Sequence, residues 1–358
     1  MPADRVPRVT IAMVAARCRR SVSTISAALN GAPGVAPHTR EEILRVADEM
    51  GYEADPRARL LRRTHSGLIG ACFAVGQAFQ GLLVDGLYRA AADLDHALAL
   101  AAVTRHRSAA EGMRALQADH CEGLILVDSE IPEEMLARAE RRMPTVVVCR
   151  TTGVSGIDEV RSRDEIGIAA LIDHLVATGR RRIVYLDGGA ESASAARVAA
   201  YCSAMGMRGL SEMMRVVSGG ADEDAGARCA AVLAEESMLP DAVMCFNDHA
   251  AVGALMELRR RGIRVPREVA VCGYDDIPVT ESSAFSLTTV RQDAVLIAET
   301  AVRTLLARVH PESVAGAAQE STQEAAVVLP PGVVREPRPQ GGWAYLVVPE
   351  LIARDSTA

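Results

Sequence analysis

The feature that most constrains the fold is a regular alternation of short apolar runs with helical segments from residue 67 onward. Between the runs, apolar residues recur at helical spacing, for example before Gly179 and Gly262. Regular β-α alternation implies parallel sheets covered by helices on both faces. We therefore predict an α/β fold with two such units. The predicted strands are 68–75, 98–103, 123–127, 145–149, 182–186, 242–246 and 269–273.

Polar residues follow two of these predicted strands. Asn247 and Asp248 come after 242–246, and Asp275 and Asp276 come after 269–273. Ligands of open parallel sheets bind at the carboxyl ends of strands, and a cleft between two units supplies two sets of such ends. Neither pair has an adjacent base or nucleophile, so the sequence indicates binding of hydroxyl groups rather than enzymatic catalysis.

The N-terminal region has a different pattern, with two short helices before the first predicted strand. Apolar residues repeat on one face of the first helix: Ile11, Val14, Ala15 and Cys18. Ser21 is a plausible N-cap of the second helix and Gly31 a plausible stop. Two helices joined by a tight turn form a helix-turn-helix, whose second helix can enter the DNA major groove. Residues 39–50 are predicted to be a third helix.

The charge is unevenly distributed along the chain. Residues 1–65 carry eleven arginines and seven acidic residues, hence +4, whereas the whole chain carries −7. A basic head on an acidic body favours DNA binding by the head alone, although charge by itself also fits a merely solvated basic segment.

Cysteine spacing and hydropathy exclude several classes of protein. The eight cysteines show no C-x-x-C pairing and several lie in apolar runs, so we expect reduced thiols and assign no metal. No apolar run reaches the ~18 residues of a membrane span, and the N-terminus lacks an apolar signal core. We therefore expect a cytoplasmic protein with no membrane partner.

Several ordered motifs resemble one family. V-T-I-A-x-V-A, S-V-S-T-I-S-x-x-L-N-G, G-V-x-P-x-T-R and G-Y lie within about the first sixty residues, and weaker matches continue to the C-terminus. They resemble the lactose-repressor/galactose-repressor (LacI/GalR) family of bacterial transcription factors. The resemblance implies a homodimeric repressor that binds an operator and a small effector such as a sugar, with no cofactor. It further implies a helix-turn-helix headpiece at 1–54, a hinge helix at 55–65, and a two-lobed periplasmic-binding-protein-like core at 66–358.

Carried over to this sequence, the resemblance implies two sets of site residues. The hinge leucine that wedges into the minor groove corresponds to Leu61. The DNA-binding set is Thr10, Ser21, Val22, Ser23, Thr24, Ser26, Asn30, Thr39, Ala58, Leu61 and Arg62. The effector-binding set is Arg197, Asn247 and Asp275, with Phe79 and Phe246 as stacking walls, although a phenylalanine at the position of Phe79 is more often a core residue than a ligand wall. Asp276 fits better as a cap of the following turn.

The sequence departs from the family pattern at several places. Arg19-Arg20 stand where a Gly-Val turn is usual, Met13 where Asp is usual, and Ala27 where Arg is common. Glycine adopts a left-handed turn more easily than arginine does, so a less stable headpiece is expected. The first cleft loop reads G-Q-A-F-Q instead of N-P-F, which points away from a common sugar.

The C-terminal region contains a repeat. V-V-L-P-P-G-V-V-R-E resembles L-V-V-P-E-L-I-A-R-D about twenty residues later, and the sequence leaves open which copy enters a sheet. Residues 313–323 are interpreted as an insertion or loop. The chain is expected to cross between the lobes near 161, 291 and 322.

The sequence leaves two alternative functions, and it lacks the features that each of them needs. A signal peptide and the absence of arginine-rich helices would favour a solute-binding protein of the same two-lobed architecture. Neither feature is seen in this sequence. A Rossmann-type oxidoreductase needs G-x-G-x-x-G after the first strand, and L-I-G-A-C-F-A-V-G lacks that spacing.

Overall fold

The computed structural model describes residues 9–29, 33–52, 66–127, 131–311 and 329–358. The chain forms two compact units, Met1–Ser66 and Gly67–Ala358. Among the described residues, no helix is both long and apolar enough to cross a membrane. The eight cysteines are free thiols, five of them buried and three half-buried.

The first unit contains three helices: α1 (Ile11–Cys18), α2 (Val22–Leu29) and α3 (Pro37–Glu49). Its core consists of Val14, Ala15, Ile25, Ala28, Ile43 and Ala47. The predicted third helix begins two residues earlier than expected, because Pro37 fits the first helical turn, where its missing N–H costs nothing. We call this unit the headpiece.

The turn between α1 and α2 is left-handed at Arg19. Its backbone angles are φ 53° and ψ 42°, and the N–H groups of Arg19 and Arg20 donate to the carbonyls of Ala16 and Ala15 at 3.2 and 3.1 Å. The left-handed conformation costs a non-glycine residue roughly 1–2 kcal/mol. The turn that glycine usually makes is therefore made here by arginine.

The first lobe of the second unit is a seven-stranded sheet with helices on both faces. Its strands run in the order β11-β12-β5-β4-β3-β1-β2, all parallel except the edge strand β11. The strands are β1 (Leu68–Ala74), β2 (Ala97–Val103), β3 (Gly123–Val127), β4 (Thr145–Val148), β5 (Asp158–Ser162), β11 (Val333–Pro337) and β12 (Trp343–Val347). The helices are α4 (Ala78–Asp93), α5 (Ala109–Ala118), α6 (Glu133–Glu140) and α11 (Ala294–Val309).

The second lobe is a four-stranded parallel sheet in the order β7-β6-β8-β9, accompanied by the antiparallel pair β10-β13. The strands are β6 (Ile183–Leu186), β7 (Arg215–Val217), β8 (Ala242–Cys245), β9 (Ala270–Cys272), β10 (Thr289–Arg291) and β13 (Glu350–Ile352). The helices are α7 (Asp164–Ala177), α8 (Ser194–Met207), α9 (Glu223–Ala234) and α10 (Asp248–Arg260).

Both faces of the second-lobe sheet are buried, as the strand sequences predicted. Along β6, Val184 and Leu186 pack in one apolar cluster, whereas Ile183 and Tyr185 pack in another on the opposite face. Successive side chains of a strand point to opposite faces, so a continuous apolar run is needed where helices cover both. The predicted α/β architecture is confirmed.

The chain crosses between the lobes after β5, after β10 and between β12 and β13. The first two crossings match the expectation, but the third, expected near 322, is wrong. β11 and β12 both belong to the first-lobe sheet, whereas β13 pairs with β10 in the second lobe, so the third crossing lies between Val347 and Glu350. The predicted insertion at 313–323 lies entirely outside the described residues.

Both copies of the C-terminal repeat enter sheets. The first supplies β11, and the second supplies the end of β12 and β13. Further on, the Ser356 hydroxyl donates to the carbonyl of Val271 at 2.6 Å, and the Thr357 and Thr288 hydroxyls lie 2.7 Å apart. The tail is thus built into the second lobe.

Arg338 anchors the β11-β12 hairpin to the first lobe. Its Nε lies 2.9 Å from Oε1 of Glu159, and both side chains are at most 5% exposed. Its other nitrogens donate to the carbonyls of Thr152, Ile157 and Gly341.

Candidate functional site

The carboxyl ends of β8 and β9 place Asn247 and Asp275 in the cleft between the lobes. Asn247 caps α10, since its Oδ1 accepts from the Ala250 N–H at 2.9 Å. Asp275 is 7% exposed and has φ 113°, a conformation that costs a non-glycine residue energy and is often found at functional sites. Its N–H donates to the carbonyl of Val290 at 2.8 Å, which fixes the residue beside β10.

Arg197, in the first turn of α8, lies beside these strand ends. Its guanidinium carbon is 3.8 Å from the ring centre of Tyr274 and 4.7 Å from that of Phe246. Its Nη1 donates to the Phe246 carbonyl at 2.8 Å. Two carboxylates face it at ion-pair distance, Asp164 at 3.5 Å and Asp275 at 3.8 Å.

The hydrogen bonding of Arg197 is incomplete. Its Nε is buried and makes no hydrogen bond to any described residue, and the ion-pair distances exceed those of a good charge-assisted hydrogen bond, about 2.7–2.9 Å. A buried donor without a partner is costly, so such groups often mark a site that another molecule completes.

Burial raises the pKa of Asp275 to about 6, although the positive charge of Arg197 and the hydrogen bond from Gln292 act in the opposite direction. Gln292 Nε2 donates to Oδ1 of Asp275 at 2.6 Å. For Arg197, burial lowers the pKa, but Asp164 raises it, and the net pKa is above its ordinary value. Arg197 thus stays charged, whereas Asp275 titrates near neutral pH.

These groups line a cavity between the lobes that is partly open to solvent. We call it the cleft cavity. Both lobes contribute to its wall, which combines apolar, aromatic and polar side chains. It is lined by Gln77, Phe79, Gln80, Leu83, Val127, Cys149, Glu191, Ala193, Arg197, Phe246, Asn247, Asp275 and Gln292.

One rim of the cleft cavity is bridged by the first turns of α4 and α10. The Ala78 N–H donates to Nε2 of His249, and the Asn247 amide donates to Oε1 of Gln77, both at 3.3 Å. Nδ1 of His249 lies 2.6 Å from Oε1 of Glu223, which orients the ring. These contacts are long or few, so this rim is held by weak bonds between the lobes.

All five residues of the predicted effector set line this cavity, and Phe79 also packs in the first-lobe core. Asp276 lies elsewhere: it accepts from Thr280 of the following turn, and also from Arg291 and Arg354. Sequence reasoning missed three residues that lie against Arg197 or Asp275: Asp164, Tyr274 and Gln292. Two of them lie next to lobe crossings, which is the signal that could have found them.

In the headpiece, Ser21 caps α2, because its Oγ accepts from the Thr24 N–H at 3.2 Å. The first turn of α2 contains no acidic residue. Thr10 caps α1 through the Met13 N–H at 3.4 Å. The exposed residues of the predicted DNA-binding set are Thr10, Ser21, Val22 and Ser23, and the half-buried ones are Thr24 and Ser26.

Thr39 does not share this exposure. It is 8% exposed in α3, and its Oγ1 lies 3.1 Å from Nε2 of His38. Asn30 and the hinge residues Ala58, Leu61 and Arg62, like the whole of the predicted hinge helix 55–65, lie outside the described residues.

Known proteins match almost the whole chain. Residues 172–336 match a family model described as a periplasmic binding protein-like domain. The HTH-type transcriptional regulator CelR of Thermobifida fusca is 30% identical over 331 residues, which cover 87% of this chain and 94% of CelR.

Solved structures agree. A LacI transcriptional regulator from a Rhodococcus species is 32% identical, with a TM-score of 0.71 over 81% of this chain and 98% of its own. The Lac repressor dimer bound to operator and the anti-inducer ONPF shares the fold, with a TM-score of 0.80 at 22% identity over 98% of this chain and 99% of its own. The chain therefore belongs to the LacI/GalR family of DNA-binding transcriptional regulators.

Proposed function

We propose that this regulator is a repressor that binds a two-fold operator as a homodimer, and that a small hydroxylated ligand in the cleft cavity controls its affinity for DNA. The observation that carries the ligand half is the incompletely bonded pair of Arg197 and Asp275 at the carboxyl ends of the strands. A ligand hydroxyl can donate to Asp275 and accept from Arg197, completing both groups.

The DNA half rests on the exposed start of α2. Val22 and Ser23 would contact base edges, whereas Ser21, Thr24, Ser26 and Thr10 would contact the phosphate backbone. The burial of Thr39 favours a packing role for this residue over a phosphate contact. Because Ala27 is too short for a bidentate base contact, DNA shape, Asn30 and the hinge residues Ala58, Leu61 and Arg62 would contribute more of the specificity.

The chemistry of the cleft cavity favours a neutral polyol or sugar derivative. Phe79 and Phe246 offer flat apolar faces, and Asn247 offers an amide. The charges of Arg197 and Asp275 offset each other, so a multiply charged ligand would lose more hydration than it gained. A glycine-rich phosphate cradle of the G-x-G-x-x-G type is absent from the sequence.

Ligand binding would be coupled to DNA through closure of the lobes. The contacts between α4 and α10 are weak, so a ligand held by both lobes would shift their arrangement and the spacing of the two hinge segments in a dimer.

The test begins with the operator, isolated by pulling down genomic fragments with the full chain. Operator affinity is then measured with and without neutral mono- and disaccharides and the corresponding sugar phosphates. Asp275→Asn should leave operator binding nearly unchanged without ligand and weaken the response to the active sugar at least tenfold, on the order of the ~1.5–3 kcal/mol of a charged hydrogen bond.

Asp173→Asn is the matched control, because Asp173 is an exposed carboxylate of the same lobe, paired with Arg208 at the surface. It should respond to the sugar as the parent does. If Asp275→Asn also responds at the parent's ligand concentration, or if only sugar phosphates act, the cleft cavity is not the neutral-ligand site proposed here.

A further inference from the structure

Two histidines and a glutamate lie close together at the amino ends of the first-lobe strands, on the opposite side of the lobe from the cleft cavity. His96 directly precedes β2, Glu122 directly precedes β3, and His310 directly follows α11. One ligand atom from each lies within 4.8 Å of those from the other two. We call these residues the His-Glu cluster. Since Glu122 and His310 are 188 positions apart, no local spacing in the sequence pointed to it.

Backbone contacts orient the cluster so that particular atoms face one another. Nδ1 of His96 lies 2.6 Å from the carbonyl of Leu94, so Nδ1 carries the proton and Nε2 keeps its lone pair. Oε1 of Glu122 accepts from the Gly67 N–H at 2.7 Å, which leaves Oε2 toward the histidines. Metal-binding histidines are commonly oriented in this way by a carbonyl.

The two histidines lie at different distances from Glu122, and a hydrogen bond explains one of these distances. Nε2 of His310 lies 3.1 Å from Oε2 of Glu122, which is a hydrogen bond. Nε2 of His96 lies 3.9 Å from the same oxygen, beyond hydrogen-bond reach. The two imidazole rings are 5.9 Å apart, so both approach one carboxylate oxygen.

We propose that the His-Glu cluster binds a divalent transition-metal ion, preferentially Zn²⁺, through Nε2 of His96, Nε2 of His310 and Oε2 of Glu122. Ligand atoms ~2.0–2.2 Å from zinc in a tetrahedral site lie about 3.4 Å apart, so small side-chain movements bring the three atoms to coordinating positions. The side chains are 9–21% exposed, which leaves access for the ion and for water as a fourth ligand.

The donor set decides the class of ion. Two imidazoles and one carboxylate suit zinc, nickel or copper, whereas Mg²⁺ and Ca²⁺ prefer sites made of oxygen. The ion would tie the starts of two strands to the end of α11. Through Glu122 it would also hold Gly67, the first residue of the core after the linker.

The test uses the full chain, stripped with EDTA and titrated with Zn²⁺ against a chromophoric chelator. The parent should bind one equivalent, and Co²⁺ should give the visible absorption of a nitrogen- and oxygen-ligated ion. His96→Gln and His310→Gln should each weaken Zn²⁺ binding at least tenfold, whereas His106→Gln, which changes an exposed histidine of the same lobe, should not. Mg²⁺ should not compete.

Glu122→Gln also disturbs the bond to Gly67, so the histidine variants carry the decision, with circular dichroism to verify folding. The proposal is overturned if the His96→Gln/His310→Gln double variant keeps the parent's Zn²⁺ affinity. It is equally overturned if the parent binds no stoichiometric Zn²⁺ or if Mg²⁺ displaces it. None of these outcomes depends on the operator or the sugar.

Discussion

Among the described residues, each lobe buries one arginine beside a carboxylate, and these two arginines differ in how many of their donors are hydrogen-bonded. Arg338 in the first lobe pairs with Glu159 at 2.9 Å and donates to several backbone carbonyls. Arg197 in the second lobe makes one short hydrogen bond, to Phe246, and its two carboxylates are 3.5 and 3.8 Å away. Burial and charge alone would not distinguish them.

The number of guanidinium N–H donors that are hydrogen-bonded within the protein, and not burial, therefore distinguishes a structural arginine from a ligand-binding one. A guanidinium has five N–H donors, and where the protein fills them, nothing is left for a ligand. Arg338 holds a hairpin in place. Arg197 faces a cavity and leaves a buried Nε without a hydrogen bond to any described residue.

The largest expected effect is on stability, and it tests the distinction between Arg338 and Arg197. Arg338→Met should lower the free energy of unfolding of the core by about 3–5 kcal/mol, because it leaves Glu159 and several carbonyls buried without their partner. Arg197→Met should cost less, since Asp275 can take up a proton instead. Urea unfolding of both variants, followed by circular dichroism, measures this. A greater loss for Arg197→Met would contradict the distinction.

The second prediction concerns the pH dependence of Asp275, the carboxylate that faces Arg197. The pKa of Asp275 is raised from 3.8 to about 6, so between these values the folded state binds more protons than the unfolded state. Its contribution to stability therefore increases as the pH falls from 7 to 5. A ligand that needs the carboxylate should bind about tenfold more weakly at pH 5 than at pH 7, because tenfold less carboxylate remains per pH unit below the pKa.

Calorimetric titrations of the active sugar at several pH values give the ligand affinity, and urea unfolding at the same pH values gives the stability, with Asp275→Asn as reference in both. The variant should lack the part of the pH dependence that belongs to Asp275. Identical pH profiles for parent and variant would show that another group is titrating.

The smallest expected effect concerns Arg19, whose left-handed backbone conformation costs free energy. Arg19 is exposed and left-handed, so Arg19→Gly should stabilise the headpiece by about 1 kcal/mol by removing the steric cost, partly offset by the greater freedom of glycine when unfolded. Hydrogen exchange of peptides covering α1 and α2 in the full chain measures it. Arg20→Ala is the control, and faster exchange in Arg19→Gly would mean that the arginine side chain stabilises the turn.

The strands that the sequence predicted are the continuously apolar ones, such as β3, whose predicted bounds match. β5 was missed because its sequence, D-E-V-R-S, looks exposed. Its two acidic residues are nevertheless buried: Asp158 accepts from the Trp343 N–H at 2.7 Å, and Glu159 pairs with Arg338. These partners lie far along the chain, so no local pattern announces them.

The site shows the same division. Asn247 and Asp275 could be found because they directly follow apolar strands, and Arg197 because a family motif marks it. Asp164 and Gln292 come from segments where the chain passes between lobes. Their approach to Arg197 and Asp275 depends on the packing of both lobes, which a sequence pattern does not encode.

The late strands β12 and β13 also determine the order in which a growing chain can fold. The headpiece core comes from residues 14–47 and can close early in synthesis. The first lobe lacks β12, the second neighbour of β5, until residue 347 is made, and the second lobe lacks the partner of β10 until residue 352. Chains shortened before these strands would expose unpaired strand edges in both lobes, which promote aggregation, while retaining a complete helix-turn-helix.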